Sequence, residues 1–255
     1  MPDVHIAIPE GVEAALGVKA QPEPLGSGNN GTAYRVDAYS VLKLTVSLPE
    51  AYAQNLLFDV MQSPAGDGLV FGINPPMSKA RLAGKVGPSH PFSGMNLYAY
   101  ITTSIVPLTR DEIAAVPKSI PDLTREDSSG NYVKVTPMVA AYNAANALWL
   151  LRPGAPGTKQ HTKRKLEAMI AKARNQYLEA LDACASVPGF EDSSEAVIRL
   201  STDTAFAKFG GPWVVGDYKP ANCGRDSNGR IVAYDLFFYS NEQAFPKYLP
   251  KALNE

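Results

Sequence analysis

The stretch Val214-Val-Gly-Asp-Tyr-Lys-Pro-Ala-Asn-Cys-Gly224 decides how this chain of 255 residues is interpreted, together with Tyr234-Asp-Leu236 shortly after it. The two segments place one basic, one amide and two acidic side chains at successive offsets of two, three and thirteen residues: Asp217, Lys219, Asn222 and Asp235. Between the segments, Asn228-Gly229 predicts a tight turn that joins two short strands. Such a hairpin would bring Asn222 and Asp235 to the same edge.

These residue types are the ones that phosphoryl transfer requires. Asp217 is the candidate for accepting the proton of the attacking hydroxyl, and Lys219 is the candidate cation for the transferring phosphate. Asn222 and Asp235 are the candidate ligands of Mg²⁺. The alternative interpretation is an acidic surface hairpin without catalytic function, and a second motif is needed to decide between them.

A glycine-rich segment near the start of the chain supplies that motif. Residues 25–36 contain Gly26, Gly28 and Gly31 in a Gly-x-Gly-x-x-Gly pattern. The residues that follow are rich in β-branched and aromatic side chains, so the pattern predicts two strands joined by a glycine turn. A dinucleotide-binding fingerprint would open a helix here, and a Walker A loop would continue with Gly-Lys-Ser/Thr. Neither is present.

Lys43 lies in the next predicted strand, between Leu42 and Leu44. Alternation along a strand allows it to face solvent, whereas a buried lysine needs an anionic partner. Because the glycine turn precedes it, we expect Lys43 to contact the α- and β-phosphates of ATP.

A helix is predicted from about residue 49 to residue 62, because Ser47-Leu-Pro-Glu50 has the form of a capping box with proline in the first turn. Four side chains of this helix are candidates for pairing with Lys43, and the sequence does not choose among them: Glu50, Gln54, Asp59 and Gln62. Further helices are predicted at 109–116, 136–151, 159–186 and 193–209.

Together these motifs resemble those of the protein-kinase-like superfamily. The resemblance implies an α+β, bilobal fold with a small β-rich N-lobe at 1–107 and a shortened, mainly helical C-lobe at 108–255. It also implies roles for the residues already singled out. Gly26, Gly28 and Gly31 would cover the phosphates of ATP, Lys43 would be the strand lysine, Asp217 and Lys219 would be catalytic, and Asn222 and Asp235 would bind Mg²⁺.

The sequence departs from that pattern in ways that concern the acceptor. Val215-Gly216 stands where protein kinases usually have His-Arg, and the Gly-Asp start is similar to aminoglycoside and choline kinases. Lys219-Pro220 is more like serine/threonine protein kinases. An Ala-Pro-Glu segment is missing, and few residues follow Asp235. A narrower resemblance, carried by Leu25-Gly26-x-Gly28 and Ala33-Tyr34, is to the small serine/threonine kinases of podoviral bacteriophages.

The leading expectation is therefore an ATP- and Mg²⁺-dependent kinase that phosphorylates serine or threonine hydroxyls of proteins, including its own. If the phage resemblance holds, the targets would be bacterial host proteins. One alternative is a small-molecule kinase of the aminoglycoside or choline type. Another is a pseudokinase that acts by binding.

Composition sets limits on the other classes of function. The net charge of −1 argues against nucleic-acid binding through a broad basic field. Two cysteines, Cys184 and Cys223, predict no disulfide framework and fit a reducing compartment. The sequence has no long apolar run and no leader pattern at its start, so we expect a cytoplasmic protein that does not contact a membrane. The oligomeric state is left open.

Overall fold

The computed structural model describes residues 5–116, 124–126, 132–152 and 155–239. These residues fall into two compact units. The first contains the described residues of 1–67 and 74–105, and the second contains those of 68–73 and 106–239. Residues 68–73 belong to the second unit, where the N–H of Ala233 donates to the carbonyl of Gly72 (2.9 Å).

A five-stranded antiparallel sheet forms the centre of the first unit, in the order β1-β2-β3-β5-β4. Its strands are β1 (Pro24–Ser27), β2 (Gly31–Arg35), β3 (Ser40–Thr45), β4 (Arg81–Lys85) and β5 (Asn96–Thr103). Short connections join β1 to β2 and β2 to β3, as expected for antiparallel neighbours. The central strand β3 therefore has a partner on each side and is well shielded from water.

Each face of this sheet is covered by a different element. One face packs against the segment that contains helix α1 (Val12–Leu16), and its core includes Val12, Leu42 and Leu44. Helix α2 (Leu48–Met61) covers the other face, where Ala51 packs with two tyrosines of β5. Since alternate residues of a strand point to opposite faces, Lys43 points toward the side of α2.

In its described residues, the second unit contains four α-helices and several short strands. The helices are α3 (Arg110–Ala115), α4 (Pro137–Leu150), α5 (Lys163–Ala185) and α6 (Glu191–Thr202). The strands are β6 (Val106–Pro107), β7 (Thr124–Glu126), β8 (Tyr132–Lys134), β9 (Val214–Gly216), β10 (Cys223–Arg225), β11 (Ile231–Ala233) and β12 (Phe237–Tyr239). They form one three-stranded sheet, β11-β10-β6, and the two-stranded pairs β12-β9 and β7-β8.

Helices α5 and α6 bury one face each and support the strands that carry the motif of residues 214–235. Tyr177 and Leu181 of α5 and Val197 of α6 are fully buried. Next to them, Trp213 stacks on Phe238 with ring centroids 5.6 Å apart. Because Trp213 precedes β9 and Phe238 lies in β12, this stacking fixes both strands against the same core.

The predicted fold class is confirmed: the chain is α+β, with a sheet-rich N-terminal part and a mainly helical C-terminal part. Of the helices in the described ranges, none combines the length and the apolar character needed to cross a membrane.

Candidate active site

The glycine-rich segment forms the hairpin between β1 and β2, as its β-rich flanks predicted. The hairpin is closed by the N–H of Gly28, which donates to the carbonyl of Gly31 (2.9 Å). A Cβ at Gly26 or Gly28 would meet no atom within 4 Å, whereas a Cβ at Gly31 would collide with the backbone carbonyl of Leu44. Gly31 is thus required for packing of β2 on β3, while the other two glycines leave the backbone of the turn open to a ligand.

Lys43 forms an ion pair with Glu50, with Nζ 2.8 Å from Oε1. The two side chains are only 15% and 10% exposed. Lys43 therefore does not face solvent. Of the four candidate partners in the helix, Glu50 is the one that pairs with it. Among the other candidates, Asp59 pairs with Lys79 at 2.7 Å and Gln62 lies at the end of α2.

Glu50 is the third residue of α2, and its backbone and side chain have separate tasks. Its N–H donates to the side chain of Ser47, which caps the helix (3.3 Å). In a capping box, the side chain of Glu50 would also accept from the N–H of Ser47. Here that N–H donates instead to the hydroxyl of Thr45 (3.1 Å). The carboxylate is therefore available to Lys43, and the capping-box prediction was right for only one of its two bonds.

The carboxylate of Glu50 accepts two further hydrogen bonds. The hydroxyl of Tyr100 donates to Oε1 (2.7 Å), and the hydroxyl of Thr45 donates to Oε2 (2.8 Å). Burial alone would raise the pKa of Glu50, but the charge of Lys43 and the hydrogen bonds from Lys43, Tyr100 and Thr45 outweigh it and hold this pKa below its usual value. Burial and the adjacent carboxylate raise the pKa of Tyr100 well above its usual value.

In the second unit, Asp217 is held by two side chains from its own loop. Nζ of Lys219 lies 2.7 Å from Oδ1 of Asp217. Nδ2 of Asn222 donates to Oδ2 (2.8 Å) and to the backbone carbonyl of Asp217 (3.0 Å). The ammonium of Lys219 also lies 5.7 Å from the ring centroid of Tyr142 on α4. Three of the predicted residues are thus in direct contact.

The backbone is left-handed at both candidate aspartates. Among the described non-glycine residues, positive φ occurs at Asp217 (60°) and Asp235 (55°). Non-glycine residues adopt this region at a cost of about 1–3 kcal/mol, and such positions concentrate at functional sites. Here the two outliers coincide with the two carboxylates that the spacing of the motif singled out.

The predicted hairpin is present and sets the position of Asp235. Strands β10 and β11 pair so that Cys223 lies opposite Ala233. Beyond that pair, the N–H of Tyr234 donates to the carbonyl of Asn222 (2.8 Å). Asp235 follows directly, so the amide and the second carboxylate are at the same end of the hairpin. The turn is the predicted one, with Gly229 at φ 78°.

Two buried tyrosines support this loop, and sequence reasoning missed both. The hydroxyl of Tyr177 on α5 accepts from the N–H of Val215 (3.0 Å) and donates to the Val215 carbonyl (3.2 Å). Both backbone polar groups of this β9 residue are therefore hydrogen-bonded. The hydroxyl of Tyr218 lies 2.7 Å from Ser193 Oγ and 2.8 Å from Ser194 Oγ on α6. Burial raises the pKa of Tyr218 well above its usual value, so it acts as a neutral anchor.

The residue before Asp217 cannot carry a side chain without a shift of its neighbour. Gly216 pairs with Phe237 across β9 and β12, and a Cβ on Gly216 would lie 2.6 Å from the Phe237 ring. An arginine at position 216, where many protein kinases have one, would therefore require the Phe237 ring to move.

The donor set at the end of the hairpin suits a hard cation bound to few protein ligands. Because Nδ2 of Asn222 faces Asp217, its carbonyl oxygen Oδ1 is the atom that remains for a cation. Asp235 supplies a carboxylate at the same end of the hairpin. Mg²⁺ is commonly bound through one or two such oxygens and substrate phosphates. A cage built only from protein ligands would need a cluster of three or more His, Cys, Asp or Glu side chains. The described ranges contain no such cluster that could hold a metal ion.

Comparisons with known proteins give only a distant likeness. No protein-family model matches the chain, and no curated protein matches it. Among solved structures, a streptomycin–ATP–APH(2″)-IIa ternary complex is 11% identical, with a TM-score of 0.31, over 92% of this chain and 72% of that one. A gentamicin–APH(2″)-IIa complex is 12% identical, with a TM-score of 0.34, over 96% and 76%. A GDP complex of wild-type aminoglycoside 2′-phosphotransferase-IIIa is 14% identical, with a TM-score of 0.31, over 92% and 74%.

Proposed function

We propose that this protein is an ATP-dependent phosphotransferase that transfers the γ-phosphoryl group to an alcohol hydroxyl of its acceptor. The observation that carries the proposal is the cluster around Asp217, a residue in left-handed conformation whose two carboxylate oxygens contact Lys219 and Asn222. The contacts fix the orientation of the carboxylate, and orientation is a large part of catalysis of phosphoryl transfer.

Asp217 acts as the base in this proposal. Each carboxylate oxygen has two acceptor sites, so the bonds to Lys219 and Asn222 leave sites for the acceptor hydroxyl. The acceptor oxygen forms a bond to the γ-phosphorus, and the bond from that phosphorus to the β,γ-bridging oxygen breaks. ADP leaves with the electron pair of that bond, and the hydroxyl proton passes to Asp217. Lys219 offsets the negative charge on the transferring group.

The first unit supplies groups for binding the nucleotide. The backbone of the glycine hairpin is open at Gly26 and Gly28, where a ligand can approach the N–H groups closely. Lys43 carries the charge that pairs with the α- and β-phosphates, and Glu50 holds its ammonium in place. Asn222 and Asp235 would hold Mg²⁺, which when bound neutralises phosphate charge.

We infer that the acceptor is a small molecule rather than a protein. The specific observation is Gly216, which packs against the Phe237 ring and stands where many protein kinases have the arginine that responds to a phosphorylated loop. The Gly216-Asp217 pair at the start of this motif is similar to that of aminoglycoside and choline kinases. A serine/threonine protein kinase is the second candidate, supported by Lys219-Pro220 and by the contact of Lys219 with Asp217. Action on bacterial host proteins, and a phage origin, depend on that second candidate.

Transfer of label from γ-³²P-ATP tests both candidates. The protein is incubated with Mg²⁺ and either a panel of aminoglycosides, choline and sugars or a generic protein such as casein. Label in a small molecule supports the first candidate, and label on serine or threonine of casein or of the protein itself supports the second. Absence of nucleotide binding, measured as no change in melting temperature with ATP and Mg²⁺, would contradict the phosphotransferase proposal.

A further inference from the structure

We propose that Tyr100, together with Thr45, is a positioning residue that keeps the Glu50 carboxylate directed at Lys43, so that Lys43 is in place before nucleotide binds. This inference rests on the proposed function and adds to it: the Lys43–Glu50 pair is built in permanently and is not a switch that opens and closes with helix α2.

The first reason is that every contact of the Glu50 carboxylate constrains its orientation. Oε1 accepts from both Lys43 (2.8 Å) and Tyr100 (2.7 Å), and Oε2 accepts from Thr45 (2.8 Å). A buried carboxylate with both oxygens hydrogen-bonded loses favourable bonds in any other rotamer. The orientation that serves Lys43 is thus also the one that satisfies its neighbours.

The second reason is the position of Tyr100 in the sheet. It lies directly opposite Lys43 in the register of β3 and β5, which places the two side chains on the same face. Tyr100 is only 1% exposed as a residue, and it packs with Ala51, Ala80 and Tyr98. The phenol is therefore held by the sheet and the core, and only its hydroxyl is directed to Glu50.

The third reason is the short connection between β3 and α2. Two residues, Val46 and Ser47, separate the end of the strand from the start of the helix. Ser47 caps the helix through the N–H of Glu50, and its own N–H is bound by Thr45. The first turn of α2 cannot move away from β3 without breaking these bonds, so Glu50 moves with the strand that carries Lys43.

Thr45 also connects this group to the glycine hairpin. Its hydroxyl lies 3.2 Å from the carbonyl of Asn30, which accepts from the N–H of Val46 (2.8 Å) as well. A hydroxyl has one proton, and the shorter contact to the charged Glu50 oxygen is the stronger use of it. The Thr45 hydroxyl therefore contacts both the Glu50 carboxylate and the glycine hairpin.

The first test measures ADP affinity by isothermal titration calorimetry in the full-length chain. Tyr100→Phe, which removes only the hydroxyl, is expected to weaken ADP binding about threefold to tenfold. In a Glu50→Gln background the same change should have no further effect, because Tyr100 acts through Glu50. Tyr98→Phe is the matched control on the same strand and face, and it should bind like the unmodified chain. Thr45→Ser should retain affinity, whereas Thr45→Val should lower it.

The second test does not use nucleotide. Acylation of Lys43 by an amine-reactive ester, followed by peptide mass spectrometry, should be faster in Tyr100→Phe than in Tyr98→Phe, by about threefold or more if one charge-assisted bond is lost. Equal rates in the two variants, or a Tyr100→Phe effect on ADP affinity that persists in the Glu50→Gln background, would overturn the positioning role. If the unmodified chain binds no ADP, the proposed function fails by itself, and the acylation rates still decide whether Tyr100 positions Lys43.

Discussion

Asn222 donates through Nδ2 both to Oδ2 of Asp217 and to the backbone carbonyl of the same residue, at 2.8 and 3.0 Å. One amide thus fixes the side chain and the backbone of the residue that adopts φ 60°. It also leaves Oδ1 of Asn222 directed away from Asp217, where a cation can use it. The relationship joins the proposed base and the proposed cation site in a single side chain.

Asn222→Ala is therefore expected to have two effects. It should lower kcat, because Asp217 loses the two orienting bonds from Asn222. It should also raise the Mg²⁺ concentration needed for half-maximal activity, because a proposed ligand is lost. The expected loss in kcat is up to about 100-fold, because Lys219 still contacts the carboxylate of Asp217. Asn228→Ala, at the exposed tip of the same hairpin, is the matched control. A variant with normal Mg²⁺ dependence would argue against Asn222 as a ligand.

Lys43→Met should destabilise the fold as well as weaken nucleotide binding. It leaves the carboxylate of Glu50 buried without its cation, and removal of one partner of a buried pair costs about 3–5 kcal/mol. Replacing Glu50 by Gln in addition should restore a large part of that free energy of unfolding, while nucleotide affinity stays low. Chemical denaturation of the single and double variants measures this. Equal stabilities of the two would contradict the account of Glu50.

The ion pair also predicts a pH dependence of stability. The pKa of Glu50 is lowered in the folded state, so its contribution is fully present above the usual value of 4.5 and is lost as the pH falls through the folded value. The free energy of unfolding should therefore fall on acidification below pH 4.5 more steeply in the unmodified chain than in Glu50→Gln. Urea unfolding between pH 7 and the acid limit compares the two. Parallel curves would show that Glu50 has no lowered pKa.

Two alanine substitutions in the glycine hairpin should differ in their effect on the fold. Gly31→Ala places a methyl group against the carbonyl of Leu44, which backbone shifts must relieve at about 1–3 kcal/mol. Gly28→Ala adds a methyl group where no atom lies within 4 Å, so the free energy of unfolding should change little. Denaturant unfolding distinguishes them. Similar losses in both variants would contradict the packing described for Gly31.

Local sequence signals predicted the elements that carry the proposed chemistry. Asn228-Gly229 predicted the hairpin, and the glycine pattern with β-rich flanks predicted a strand–turn–strand unit. The helix predicted at 49–62 is α2, observed at Leu48–Met61. Each of these depends on residues close in sequence, where turn and capping chemistry act directly. The roles assigned to the glycines, to Lys43 and to the candidate residues of the 217–235 segment stay predictions until binding and turnover are measured.

The sequence did not predict the contacts that position these residues. Tyr100 meets Glu50 across fifty residues, and Tyr177 reaches Val215 across thirty-eight. Spacing of side chains gives no signal for such pairs, because they arise from sheet register and helix packing. The helix predicted at 193–209 was too long for a related reason: it ends at Thr202, where Asp203 turns the chain and caps a short 3₁₀ helix at Thr204–Phe209.

The central claim is that Asp217 is the base in phosphoryl transfer, and Asp217→Asn tests it most directly. The change preserves shape, so ADP affinity in the presence of Mg²⁺ should stay within about twofold of the unmodified value, since the base acts on the acceptor and not on the nucleotide. Transfer of label from γ-³²P-ATP to the acceptor identified by the panel should fall by about 100-fold to 10,000-fold. Retained transfer in Asp217→Asn, with nucleotide bound as before, would contradict the mechanism.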